Sequence, residues 1–130
     1  MTEDYLEQIN WNTDGLVPVI AQEQVSKRIL TQAWLNREAL KTAIAEKRAV
    51  YWSRSRQSLW RKGEQSGNVQ ELVDVFLDCD NDSVCYLVRQ SGGVACHTGR
   101  ESCFFQKFVD GRWQTVDPVI RDPAQLYRDQ

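Results

Sequence analysis

The chain has 130 residues, 42% of them hydrophobic and 26% charged, and sixteen Lys and Arg against eighteen Asp and Glu leave a formal charge of −2. At roughly 150 residues per domain this is one domain, long enough to hold a core without disulfides, and its composition excludes a disordered or collagen-like chain. No stretch reaches the ~18 apolar residues of a membrane span, the acidic start Met1-Thr2-Glu3-Asp4-Tyr5 lacks the pattern of a secretory signal, and the net charge gives no global field for nucleic acid. The expectation is a cytoplasmic protein whose four cysteines are reduced.

Residues 1–15 are polar and mixed, ending in the turn-like Asn12-Thr13-Asp14-Gly15. Leu16-Val17-Pro18-Val19-Ile20 is a short apolar run that Pro18 confines to an edge strand or a strand start. Val25 to Leu35 reads as strand. Asn36 reads as a helix N-cap, with Glu38 in the first turn and Ala39, Leu40, Ala43 and Ile44 at helical spacing. Lys47 and Arg48 close the segment, where cations suit the helix dipole. The period then changes to two. Tyr51-Trp52-Ser53-Arg54-Ser55-Arg56 alternates, and Ser58 to Lys62 continues as a second arm before the polar loop Gly63-Glu64-Gln65-Ser66-Gly67-Asn68. Leu72 to Leu77 and Val84 to Val88 are strand-like, and Ser91-Gly92-Gly93 marks a turn. Cys103 to Val109 and Trp113 to Val116 flank the Asp110-Gly111 turn, and Pro118 and Pro123 break the tail. The reading is one strand-rich α+β domain over residues 1–130, with mixed or antiparallel sheets and one main helix.

Three groups of residues carry chemistry. In Asp78-Cys79-Asp80-Asn81-Asp82, three carboxylates recur at every second position. On an extended segment they share one face and suit a hard cation such as magnesium, with Cys79 on the other face. A calcium loop would need Gly and Glu where Ser83 and Arg89 stand, so that motif is rejected, and a solvated acidic turn is the alternative. The cysteines at 79, 85, 96 and 103 form no Cys-x-x-Cys pair, so spacing leaves zinc ligands and scattered buried thiols both open. Cys96-His97-Thr98-Gly99 sets the only histidine beside a cysteine and a glycine turn, a place suited to a general base. Arg54, Arg56, Arg61 and Lys62, interleaved with Trp52 and Trp60, suit phosphate and base stacking, or the solvated outside of a half-buried strand.

Taken together, these strings closely resemble the phosphoribosyl-AMP cyclohydrolases. The likeness runs from Asp14-Gly15-Leu16 through Asn36-Arg37-Glu38-Ala39-Leu40 and Tyr51-Trp52-Ser53-Arg54-Ser55-Arg56. It continues with Leu59-Trp60-x-Lys62-Gly63-Glu64-x-Ser66-Gly67-Asn68, Asp78-Cys79-Asp80-x-Asp82, Ala95-Cys96-His97-Thr98-Gly99 and Ser102-Cys103-Phe104-Phe105. The resemblance implies hydrolytic opening of the N1–C6 bond of the adenine ring in phosphoribosyl-AMP, the third step of histidine biosynthesis, by attack of zinc-bound water at C6. It implies an intertwined homodimer with sites at the subunit interface, in the single-function form. It maps zinc onto Cys79, Cys96 and Cys103, and magnesium onto Asp78, Asp80 and Asp82. Cys85 matches no family cysteine and is read as a core residue. His97 becomes the base. Arg54, Arg56 and Lys62 become phosphate ligands, with Ser53, Ser55, Ser66, Gly67 and Asn68 as donors and Trp52, Glu64 and Thr98 completing the substrate contacts.

Two other readings use the same residues. A zinc-stabilised module binding single-stranded nucleic acid would use Trp52, Arg54, Arg56 and Trp60. A zinc deaminase acting on a free purine would release ammonia, but its His-x-Glu and Pro-Cys-x-x-Cys signature is absent.

Overall fold

The computed structural model describes residues 4–126; Met1-Thr2-Glu3 and the four residues after Leu126 lie outside it. A short helix, α1 (Asp4–Glu7), is followed by β1 (Val17–Glu23), β2 (Ile29–Leu35) and the main helix α2 (Arg37–Glu46). Next come the hairpin β3 (Val50–Ser53) and β4 (Ser58–Arg61), the long strands β5 (Gln70–Leu77) and β6 (Val84–Gln90), and a second hairpin, β7 (Gln106–Val109) and β8 (Arg112–Thr115). A last short helix, α3 (Pro123–Leu126), begins at the proline expected to break the tail, which suits the first helical position because it has no N–H to satisfy.

The central sheet has the order β2-β1-β6-β5 and is mixed, because β1 and β6 run parallel while both outer pairs are antiparallel. Alternation decides which face is buried. Val17, Val19 and Ala21 of β1 and Val84, Tyr86 and Val88 of β6 all point into the core. They pack with Leu35, with Ala39, Leu40 and Ala43 of α2, and with Val50 and Tyr51 of β3. α2 starts as its sequence dictates, since the Asn36 side chain accepts the Ala39 N–H at 2.8 Å. It stops at Lys47, which turns left-handed at φ 57°. Pro18 sits at the start of a central strand: its partner is Trp34 on β2, and pairing with β6 begins only at Val19, so its missing donor costs no ladder bond on that side.

Two expectations are corrected. α1 and the stretch after it are not merely polar, because Leu6 and Ile9 enter the core. Cys85 is not a core residue of this chain. It is half-buried on the outer face of the sheet, in the row Gln32, Ile20, Cys85, Phe76 across the four strands. Burial on that face still pushes its thiol pKa up. Among the described residues no helix is long and apolar enough to cross a membrane.

Candidate active site

Cys96 and Cys103 are brought together by the segment that follows β6. Cys96 is buried, and Cys103 is half-buried, with Cys96, the Thr31 hydroxyl and Lys62 near enough to shift its thiol. The Cys96 sulfur also accepts the Thr98 hydroxyl at 3.0 Å. The backbone of the pair is tied down on both sides: Cys103 N–H donates to Leu30 O at 2.7 Å, and Cys96 N–H to Arg100 O at 3.1 Å. Ser102, fully buried, donates its hydroxyl to Ile29 O at 2.7 Å. Burial pushes the Cys103 thiol up, Cys96 adds to this, and the Thr31 hydroxyl and Lys62 pull it back.

The turn Ala95 to Gly99 depends on glycine. Gly99 has φ +86°, and a Cβ there would run into the carbonyl of Arg121. The tail lies directly on it, with the N–H groups of Ile120 and Arg121 both donating to Gly99 O, at 2.9 and 3.2 Å. This clamp leaves His97 exposed on the outside of the turn. His97 lines a cleft of about 300 Å³ together with Arg56, Leu59, Trp60, Lys62, Gly63, Glu64, Gln65 and Ser66.

The other candidate residues distribute around this centre. The Tyr51 to Arg56 stretch is not one strand: β3 ends at Ser53, and Arg54 to Gln57 form the hairpin turn, with Gln57 left-handed at φ 51°. Arg54 and Arg56 therefore do not share a strand face. Arg56 reaches the His97 cleft, whereas Arg54 stacks 4.6 Å over the Trp34 ring and lines a second cleft with Trp52, Asp14, Leu16, Asn36 and Gln57. Ser53 and Ser55 lie 3.4 Å apart in the turn, where the Ser53 hydroxyl also accepts the Arg56 N–H at 3.3 Å. Gly63 makes the following loop possible, since a Cβ at its φ of +83° would strike the backbone of Val69. Gly67 N–H closes that loop on Gly63 O at 2.8 Å, and buried Asn68 accepts Gln90 Nε2 on its carbonyl at 2.9 Å. Lys62 is 8% exposed, and its amine donates to Ala95 O at 2.6 Å.

Asp78, Asp80 and Asp82 lie in the turn between β5 and β6, not on an extended segment. Asp78 caps that turn by accepting the N–H groups of Asp82 at 3.0 Å and Ser83 at 3.2 Å, and Asn81 is left-handed at φ 60°. Desolvation and the neighbouring carboxylates of Asp78 and Asp80 push Asp82 above its ordinary pKa. Cys79 is exposed on the same turn, with its sulfur 3.7 Å from an Asp80 oxygen rather than facing away from the acids.

Two neighbouring thiols, one of them accepting a hydroxyl, suit two of the four positions of a tetrahedral zinc site. Among the described residues no three His, Cys, Asp or Glu side chains converge on one point. Sequence reasoning did not find Thr31, whose place beside Cys103 follows from the β2 register, nor Asp14 and Gln57 in the second cleft. Asp14 alone carried a signal, as part of Asp14-Gly15-Leu16.

Fold and site together define a class: a small α+β enzyme domain that sets a thiol pair and a histidine against a polar, arginine-bearing cleft. The phosphoribosyl-AMP cyclohydrolase family model matches residues 31–105. The phosphoribosyl-AMP cyclohydrolase of Pseudomonas aeruginosa strain PAO1 is 58% identical over 125 residues, which is 96% of this chain and 93% of that protein. Those of Pseudomonas putida strain W619 and Azotobacter vinelandii strain DJ are 57% and 56% identical, over 96% and 97% of this chain and 96% and 95% of theirs. The chain belongs to the phosphoribosyl-AMP cyclohydrolase family, a family of hydrolases.

Proposed function

We propose that this protein hydrolyses the N1–C6 bond of the adenine ring of phosphoribosyl-AMP in histidine biosynthesis, using zinc and magnesium. The observation that carries this reading is the pairing of neighbouring Cys96 and Cys103 with His97, which lines a cleft holding Arg56 and Glu64. Cys96 and Cys103 would hold zinc, and Cys79 of a second copy would add the third thiolate. Bound zinc supplies a Lewis acid that makes a water nucleophilic near neutral pH.

The chain's own residues do the rest. His97 takes a proton from the water attacking C6 and returns it to N1 as the N1–C6 bond breaks. Its exposure on the rim of the cleft leaves it free to meet both atoms in turn. Arg56, with Ser66, Gly67 and Asn68 in the adjoining loop, receives one phosphate arm. Arg54, with Ser53 and Ser55 and the Trp52 ring, receives the other, and Glu64 and Thr98 orient the nucleoside. Asp78, Asp80 and Asp82 suit magnesium, because a cation would relieve the mutual repulsion that raises Asp82.

Two features support a homodimer with shared sites. Among the described residues no third ligand joins Cys96 and Cys103, and the outer sheet face carries a half-exposed apolar row with Ile20, Cys85 and Phe76. Four free thiols suit a reducing cytoplasm.

The test is to mix the protein, kept in reductant, with phosphoribosyl-AMP and magnesium and follow the ultraviolet spectrum. A chelator-sensitive shift with no ammonia supports ring opening. Ammonia release would move the protein to the deaminases, and no shift from zinc-loaded protein would overturn the reading.

A further inference from the structure

Lys62 occupies an unusual position for a residue of a phosphate-binding cleft. It is 8% exposed, and a buried ammonium is costly unless its charge is matched. Its main chain is fixed at both ends, with its N–H on Ala49 O at 3.1 Å and its carbonyl accepting Arg48 Nη2 at 3.0 Å. Its side chain crosses from the β3–β4 hairpin to the cysteine turn, where the amine meets Ala95 O at 2.6 Å, immediately before Cys96. The Trp60 ring lies on another side, 5.4 Å from the amine. Burial lowers the pKa of the amine, and the neighbouring Cys103 and Cys96 thiols oppose this.

We propose that Lys62 is a positioning residue for the thiolate pair: its amine holds the Ala95–Cys96 backbone in place and supplies the positive charge that a thiolate-rich zinc centre lacks. This rests on the reading that Cys96 and Cys103 hold zinc. Zinc with three thiolates carries a formal charge of −1, and a desolvated anion of that kind needs a nearby cation. One ammonium proton goes to Ala95 O, which leaves two further donors on the amine. The phosphate arms are then left to the arginines, whose planar forks suit them better.

The experiment compares zinc affinity of the full-length wild type with that of Lys62→Met and Lys62→Arg, by competition with a chromophoric chelator, alongside steady-state kinetics. Loss of a group that orients a metal ligand costs about 10- to 100-fold in affinity, so Lys62→Met should lose that much and Lys62→Arg should recover most of it. A folded Lys62→Met that binds zinc within about threefold of wild type, with a raised KM, would overturn the proposal in favour of a phosphate ligand. A measurement on the wild type alone guards against misfolding of the variant. Zinc added to the apo-protein should move the Lys62 side-chain 15Nζ resonance, and pyrophosphate should not; the reverse pattern overturns the proposal. If the wild type takes up no zinc at all, the zinc reading itself fails and this inference falls with it, a result distinct from zinc binding that ignores Lys62.

Discussion

The Tyr51 hydroxyl donates to the side-chain carbonyl of Gln70 at 2.5 Å in the closed centre of the domain. Both residues are fully buried, and burial drives the phenol pKa well up, so it remains a neutral donor. The bond begins a polar chain. Gln70 Nε2 donates to Gln90 Oε1 at 2.9 Å, and Gln90 Nε2 donates at 2.9 Å to the carbonyl of Asn68, at the end of the substrate loop. Tyr51→Phe leaves the Gln70 carbonyl buried without a donor and should cost about 1–3 kcal/mol in denaturant unfolding.

His97 makes no contribution to the core, so its removal separates chemistry from folding. His97→Ala should retain the wild-type melting temperature and zinc content while kcat falls about 10²- to 10⁴-fold. Retained activity would remove His97 from the mechanism.

The proposed sharing of sites between two copies is open to a complementation experiment. Cys79→Ser and His97→Ala homodimers should each be nearly inactive. Unfolded together and refolded, half of the dimers are mixed, and each mixed dimer has one intact site. About a quarter of wild-type activity should return. Sites built within single chains would give no recovery.

Glu23 links stability to pH. Burial pushes its carboxyl up, but the N–H groups of Gln90, Val25 and Ser26, with the Arg89 charge, outweigh this and hold it below its ordinary value. Its stabilisation is therefore present above the unfolded-state pKa and is lost as the pH falls through the lower folded-state value. Glu23→Ala should lower stability at neutral pH by about 1–2 kcal/mol. The difference from wild type should shrink in acid, as urea titrations from pH 7 to pH 3 would read.

Gly99→Ala places a Cβ against the Arg121 carbonyl in a left-handed conformation. It should destabilise the protein by more than about 1 kcal/mol and weaken zinc binding, since the strained turn is the one that carries Cys96. Thermal melts with and without zinc measure both effects.

The helix was legible because its signals are local. Asn36 and the Ala39, Leu40, Ala43 spacing need nothing from the rest of the chain. The sheet was legible in its strands but not in its order, because pairing β1 with β6 depends on contacts more than sixty residues apart. The arginine turn was read as strand because Arg54 to Gln57 contains neither Gly nor Pro, and its left-handed residue is a glutamine. In the acidic segment the extended reading gives way, for the opposite reason, to the turn that stood as its alternative. Asp and Asn favour turns by bonding their own backbone, as Asp78 does, and the period of two concealed this. The site residues were found by motif, whereas the burial of Lys62 and the separation of Arg54 from Arg56 belong to tertiary structure alone.

The clamp of Ile120 and Arg121 on Gly99 also sets an order of events during synthesis. The cysteine turn takes its outer hydrogen bonds from residues translated some twenty positions later. Arg28, from the second strand's approach, reaches Asp117 in the same tail. Until that tail has left the ribosome, Gly99 O lacks both of these donors. On a nascent chain, therefore, the turn that carries Cys96 and His97 is among the last parts of the domain to gain its full set of hydrogen bonds.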